Sequence, residues 1–194
     1  MPPPDAANRP RILDVACGPN KRIGAVGFDL FPVPGVDLVA NFDGPHLPFR
    51  DDSFDEVYAS HVVEHAGSVV SFLNEIHRVA RAGALVHIVT PHYSWHGSWS
   101  DPTHRWHLNT RTFTYFSAEH GFAYYTHACF RTVSLTIRFP SVWRTLGVQH
   151  LLNLENRHRN LRFARKFWEE YLAFVIRAKD MHAVLEVVKT GRST

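Results

Sequence analysis

Cysteine is nearly absent. Cys17 and Cys129 are the only two in 194 residues, too few for a disulfide framework, and a reducing, cytoplasmic setting is expected. Long apolar runs are missing too: stretches such as residues 172–176 fall far short of the ~20 residues that span a bilayer, so no membrane partner is expected. The Pro-rich start has neither a cationic region nor an apolar one, which argues against a signal peptide and makes residues 1–10 a flexible tail. Two phosphate-cradling signatures are also absent: no Gly-x-Gly-x-x-Gly and no Gly-x-x-x-x-Gly-Lys-Ser/Thr occurs. A dinucleotide or a nucleoside triphosphate is therefore a poor fit.

What remains is the composition of a globular chain, 45% hydrophobic and 20% charged, long enough for one core. One domain spanning residues 1–194 is the expectation. The net charge of +3 conceals an asymmetry. Residues 1–130 hold 9 Lys/Arg against 13 Asp/Glu, whereas residues 131–194 hold 12 against 5. The basic end suits an anionic substrate, a nucleic acid or simply a solvated helical face.

Short apolar runs at residues 11–15, 25–30, 36–39, 54–60 and 84–90 read as strands, and residues 130–139 and 182–189 as two more. Between the fourth and fifth, Val69, Phe72, Leu73, Ile76 and Val79 recur at helical spacing over residues 68–80. Arg81 to Gly83 is expected to end that helix with a basic turn and a terminal glycine. The alternation predicts an α/β fold: a mostly parallel Rossmann-like sheet with an antiparallel edge strand. A helical cap over residues 140–180 is inserted before the last strand.

Ligands of open α/β sheets sit at the carboxyl ends of the strands. The first strand ends in Asp14-Val-Ala16-Cys-Gly18-Pro-Asn20 and the second in Gly27-Phe-Asp29-Leu30. A glycine turn lets a ligand approach the backbone, and a carboxylate after the second strand can accept both hydroxyls of a ribose. A nucleoside cofactor without phosphates fits best.

These segments, with Asp43, Leu47-Pro-Phe-Arg-Asp-Asp-Ser-Phe-Asp55, Ser60-His-Val-Val-Glu-His65 and Glu75-Ile-His-Arg-Val-Ala-Arg-Ala-Gly83, resemble the class I S-adenosylmethionine-dependent methyltransferases. The resemblance is to their type 11 small-molecule branch; it covers residues 11–95, with looser agreement over residues 101–116. It implies S-adenosylmethionine as cofactor, with Asp14, Ala16 and Gly18 beside its methionine part. It places Asp29, followed by Leu30, at the ribose, and Asp43 with Gly44 near the adenine amine. Ser60 and His61 fall beneath the sulfonium. Ala16 and Asn20 replace the outer glycines of the family's turn; Asn20 tolerates a positive φ, while Ala16 adds a methyl near the cofactor. Only ten residues separate Gly18 from Asp29, so the family's first helix is very short or missing, and Lys21 or Arg22 would hold the cofactor carboxylate instead.

Residues 91–110, rich in His, Trp, Ser and Asp, follow the fifth strand and are expected to face the methyl group. His92 and His104 are the candidate bases, with Asp101 orienting one of them. Arg105 would hold an anionic group bidentately, and Tyr93 and Trp95 would line the acceptor site. The blander reading has these histidines hydrogen-bonded and bracing the loop. His92/His96 and His104/His107 have zinc-like spacings, but Pro91, Gly97 and Pro102 interrupt any helix, and no metal is expected. Glu64 and His65 read as orienting the following helix. In the cap, Trp143, Phe163, Phe167, Trp168 and Tyr171 would form apolar walls, and Arg157, Arg159, Arg162, Arg165 and Lys166 would face water or an anionic substrate.

The function expected is methyl transfer to a small, anionic acceptor at oxygen. A cofactor-binding partner protein without catalysis is the alternative, and an RNA methyltransferase a further one. Nucleic acid is disfavoured because no RNA-binding module is recognisable.

Overall fold

All seven apolar runs become strands of one sheet. The computed structural model describes residues 10–117, 125–156 and 162–189. Its strands are β1 (Ile12–Val15), β2 (Ala25–Asp29), β3 (Leu38–Val39), β4 (Phe54–Ser60), β5 (Ala80–Pro91), β6 (Phe130–Arg138) and β7 (Asp180–Val187), in the order β3-β2-β1-β4-β5-β7-β6. The first five run parallel, and β7 is antiparallel to both β5 and β6. One sheet face is fully packed: Val57, Val86, Ile88, Ala183 and Leu185 are all buried. Against it lies α1 (Val69–Val79), whose buried stripe is Val69, Phe72, Leu73, Ile76 and Val79. Each of the larger side chains contributes about 2 kcal/mol by leaving water. The Ser68 side chain accepts from Ser71 N and opens the helix as an N-cap.

The end of α1 differs from expectation. The chain leaves the helix at Ala80, which already pairs with Phe54, and Arg81 to Gly83 open β5 rather than closing the helix. Sheet pairing takes over here, because Asp52 N and Ser53 N occupy the last helical carbonyls, Arg78 O and Val79 O.

Between β1 and β2 there is a single tight turn, Gly18–Asn20, in place of a helix. The positive φ angles fall on Ala16 (+50°) and Gly18 (+53°), not on Asn20. Among the described residues the second sheet face carries a half-buried row instead of a helix. Arg22 lies 3.6 Å over the Tyr58 ring, which stacks on His87 at 4.4 Å.

The stretch after β5 holds a short helix, α2 (His96–Ser100). The cap comprises α3 (Ser141–Thr145), α4 (Val148–Asn153) and α5 (Arg162–Phe167), continued by a wider turn over Trp168–Leu172. It has its own core of Ile137, Phe139, Leu152, Trp168, Ala173 and Ala178. Two expectations change here. Trp168 is 2% exposed and belongs to that core, while Phe163, Phe167 and Tyr171 lie exposed outside it, stacked in a row. Arg165 is buried and donates to Leu152 O and Leu135 O, so it pins the cap to β6 instead of facing water. Arg157 and Arg159 lie outside the described residues. Among those described, no helix is long and apolar enough to cross a membrane.

Candidate active site

Register decides which strand ends meet. Val15 lies opposite Phe28 on one side and Ala59 on the other, so Ala16, Asp29 and Ser60 emerge together at the carboxyl edge. The chain turns sharply at both inner strand ends, with φ of +50° at Ala16 and +54° at His61. Asp29 closes the first turn: its Oδ2 accepts from Gly18 N at 2.9 Å and its Oδ1 from Phe31 N at 3.0 Å. Each oxygen keeps a lone pair for a ribose hydroxyl. A Cβ on Gly18 would meet nothing within 4 Å, so the turn presents open backbone beside that carboxylate. A nucleoside cofactor of the kind the resemblance implies fits this arrangement. Leu30, exposed, follows Asp29 along the rim.

Asp14 is buried and accepts from Arg22 N at 2.8 Å, so it shapes the turn from beneath. Lys21 and Arg22, expected at the cofactor carboxylate, are engaged elsewhere. Lys21 Nζ sits 2.6 Å from Asp37 Oδ1, and Arg22 covers Tyr58. The missing helix leaves Asp37 and Tyr58 uncovered, and the two cations settle on them. The Gly27 amide and then Lys21 hold the Asp37 carboxyl below its usual range.

Asp43 Oδ1 accepts from Gly67 N at 2.8 Å, which places Asp43 beside the turn after β4, and Gly44 N donates to Asn41 O at 3.2 Å. Behind them Glu75 accepts from Leu47 N at 2.7 Å and pairs with Arg78 at 2.8 Å. Burial alone would raise its carboxyl, but Arg78, the Leu47 amide and His46 bring it from 4.5 to about 2.

The histidine-rich stretch is strapped onto the segment after β4. Arg105 N (2.8 Å) and Trp106 N (3.2 Å) donate to Glu64 O, and Trp106 Nε1 donates to Ala66 O at 2.7 Å. The Arg105 guanidinium comes so near Gly67 that a Cβ there would lie 3.2 Å from Nη1. His104 Nδ1 donates to Ser98 O at 3.0 Å, and its Nε2 lies 3.7 Å from Asp101 Oδ2. Asp101 in turn accepts from Thr103 N and Thr103 Oγ1, which hold its carboxyl below the usual range. Trp95 is half-buried with its ring 4.3 Å from His96. His107 is bonded to Ser98 Oγ and stacked on Trp99.

His92 follows the carboxyl end of β5 but is sealed from solvent there. It is 0% exposed, with Nδ1 2.8 Å from Ser94 Oγ and Nε2 3.1 Å from Glu169 Oε1. Thr110 donates twice to the same carboxylate, and Tyr93 donates to Glu169 O. Burial pushes Glu169 up, but His92 and Thr110 more than offset it and hold the carboxyl below its usual value. His92 and Tyr93 are struts between the stretch after β5 and the cap, because both ring nitrogens of the one and the hydroxyl of the other are already bonded.

Two features were not assigned to the site from the sequence. The first is Glu64, only 1% exposed, with its Oε1 3.3 Å from His61 Nδ1. His61 stands exposed at the end of β4, and the Glu64 carboxylate raises its pKa above the usual 6.5. The signal was present as His61-Val-Val-Glu-His65, polar residues on both sides of a buried valine pair. The second is a cleft of about 490 Å³ lined by Arg138, Arg144, Gln149, Lys179 and Asp180. Asp180 pairs with Pro91, so the cleft opens at the same carboxyl edge, and the charges of Asp180 and Lys179 both act on His61. The basic balance of residues 131–194 was its only trace in the sequence.

Comparison with known proteins agrees with this geometry. Residues 29–88 match the family model of the methyltransferase domain, type 11. No curated protein matches the chain. Among solved structures, an S-adenosylmethionine-dependent methyltransferase from Archaeoglobus fulgidus superposes with a TM-score of 0.60 at 16% identity, over 92% of this chain and 86% of that one. One from Mesorhizobium loti gives 0.54 at 16%, over 91% and 90%. The Haemonchus contortus phosphoethanolamine N-methyltransferase 2, in complex with phosphomonomethylethanolamine and S-adenosylhomocysteine, gives 0.55 at 12%, over 93% and 49%. Residues 29–88 thus match the methyltransferase domain family, and the sheet as a whole has the fold of the S-adenosylmethionine-dependent methyltransferases.

Proposed function

We propose that the protein, acting as one catalytic unit over residues 1–194, methylates an oxygen of a small anionic acceptor. The observation that carries this reading is the cleft: Arg138, Arg144 and Lys179 gather at the edge where His61 stands. Three cations around a semi-enclosed space favour a carboxylate or phosphate, and Arg can hold either bidentately. The Haemonchus contortus relative was solved with a phosphate-bearing compound, which is consistent with that preference. When bound at the Ala16–Gly18 turn, S-adenosylmethionine supplies a methyl group activated by its sulfonium. The protein's own work is alignment and proton removal. Asp29 fixes the ribose, the backbone of the turn approaches the methionine part, and the cleft holds the acceptor's charge. His61, exposed and oriented by Glu64, takes the acceptor's hydroxyl proton.

Calorimetric titration with S-adenosylhomocysteine comes first, comparing wild type with Asp29→Ala. Binding that weakens at least tenfold in the variant is expected. A methyl-transfer screen of hydroxylated carboxylates and phosphates follows, and Arg144→Ala should raise KM for the acceptor with little change in cofactor affinity. Preference for neutral acceptors, or an unchanged KM in Arg144→Ala, would refute the anionic reading.

A further inference from the structure

The turn after β4 and the strapped stretch after β5 bring Glu64, His65 and His104 together. One ligand-capable atom of each lies within 4.8 Å of those of the other two. The His65 and His104 rings meet edge to face, with centroids 4.7 Å apart. We propose that these three side chains bind one first-row divalent cation of the zinc type.

Three independent features support this. First, the Glu64 carboxylate is almost wholly buried, and neither oxygen has a hydrogen-bond partner among the described residues. A buried, unsatisfied carboxylate is costly, and a bound cation is one of the few things that satisfies it. His61 Nδ1 stands 3.3 Å from Oε1 at the exposed rim, and Oε2, without any hydrogen-bond partner among the described residues, is left for the cation to meet.

Second, both imidazoles are held in the tautomer a metal needs. His104 Nδ1 faces a backbone carbonyl, Ser98 O, which can only accept, so Nδ1 carries the proton and Nε2, 3.7 Å from Asp101 Oδ2, is the nitrogen left for a ligand. Thr103 Oγ1 gives its proton to Asp101 Oδ1, so it accepts from His65 Nδ1, and His65 Nε2 likewise keeps its lone pair. Metal-bound histidines usually have the outer nitrogen tied to an oxygen in this way. Asp101 and Thr103 are positioning residues here.

Third, the donor set is suitable. Two imidazoles and one carboxylate are a common ligand set for zinc and for other first-row divalent ions, and three protein ligands leave a coordination position open. Donors bonded to zinc stand roughly 3.3 Å apart, so side-chain rotations of about 1 Å complete the geometry. The open position would take water, or the acceptor's oxygen under the methyltransferase reading above. That last role rests on the proposed function; the site itself does not.

The test uses the full chain stripped with chelator and titrated with Co²⁺, a visible-absorbing probe for zinc sites, followed by displacement with Zn²⁺. One ion per chain, with d–d bands that Zn²⁺ abolishes, is expected. Glu64→Gln and His65→Gln should each weaken Co²⁺ binding at least 30-fold, whereas His96→Ala and His150→Ala, at histidines outside the cluster, should leave it unchanged. Thermal unfolding and S-adenosylhomocysteine binding check that each variant is folded. His65 is only half-buried, so its variant keeps the test valid should Glu64→Gln fail to fold. Metal binding without cofactor binding would sink the methyltransferase reading and leave the site standing. Absence of a one-to-one site in the wild type, or equal binding by folded His65→Gln, would overturn the site itself.

Discussion

Glu75 and Arg78 tie α1 to the segment that carries Asp43 and Gly44, and the strength of that tie can be worked out. Glu75 accepts from Leu47 N, while Arg78 donates to Leu47 O, Phe49 O, Asp51 and Glu75 itself. The Glu75 carboxyl falls from 4.5 to about 2 on folding. At ~1.4 kcal/mol per pH unit, that gap sets an upper limit of about 3.4 kcal/mol of linked stability. The Glu75 side chain is 13% exposed and Arg78 24%, so solvent screening brings a realistic figure nearer ~2 kcal/mol. Because the folded value lies below the unfolded one, the stability is fully present above pH 4.5 and is lost as the pH falls towards 2. Urea unfolding of wild type and Glu75→Gln at a series of pH values isolates this contribution from other carboxylates. The two should differ by about 2 kcal/mol at pH 6 and converge near pH 2. A difference that persists unchanged to pH 2 would show that packing, not charge, holds this segment. No difference at pH 6 would show that the clamp contributes nothing.

Ala16→Gly should stabilise the fold by about 0.5 kcal/mol in denaturant unfolding. It relieves a left-handed alanine, worth roughly 1–2 kcal/mol, against the roughly 0.4–1 kcal/mol of extra chain entropy a glycine brings to the unfolded state. His92→Ala should cost about 3 kcal/mol of stability, since it leaves Glu169 and Ser94 short of a buried partner and opens a void. Its turnover per folded molecule at low temperature should stay within a few-fold of wild type; a variant of normal stability without turnover would restore His92 as a catalytic residue. His104→Ala should lower thermal stability only modestly, because the Arg105 and Trp106 bonds to Glu64 O remain to hold the stretch; collapse of the fold would refute the strap described here.

Much of the fold was legible because its signals are local. Strand runs end at Gly, Pro or Asp, and α1 shows its buried stripe at helical spacing. The gathering of Gly18, Asp29, Asp43 and Ser60 at the carboxyl edge was legible for the same reason, since each ends or follows a strand in a fixed order. Less of the chemistry was legible, because burial is not written in spacing. His92 and His104 look alike in sequence, yet one is sealed under the cap and the other meets Glu64 and His65. The pairing of Lys21 with Asp37 and of Arg22 with Tyr58 was not legible, because those partners come from later segments of the chain. Trp168 and Phe167 are neighbours in the chain with opposite burial, and only the packing of the cap separates them.

The tight turn that replaces a helix between β1 and β2 has a consequence for how the molecule holds itself together. β2 buries Ala25, Gly27 and Phe28, while β3, two residues long, is exposed throughout. No described helix weighs on these strands from the second face, so they are the part of the sheet whose opening costs least. Asp29 belongs to that same part. Under the proposed function, a cofactor gripped by Asp29 would add cross-links where the chain supplied few of its own, and its arrival and the annealing of this margin would become one equilibrium. Its affinity would then be the intrinsic affinity of the closed margin multiplied by the fraction of molecules in which the margin is closed.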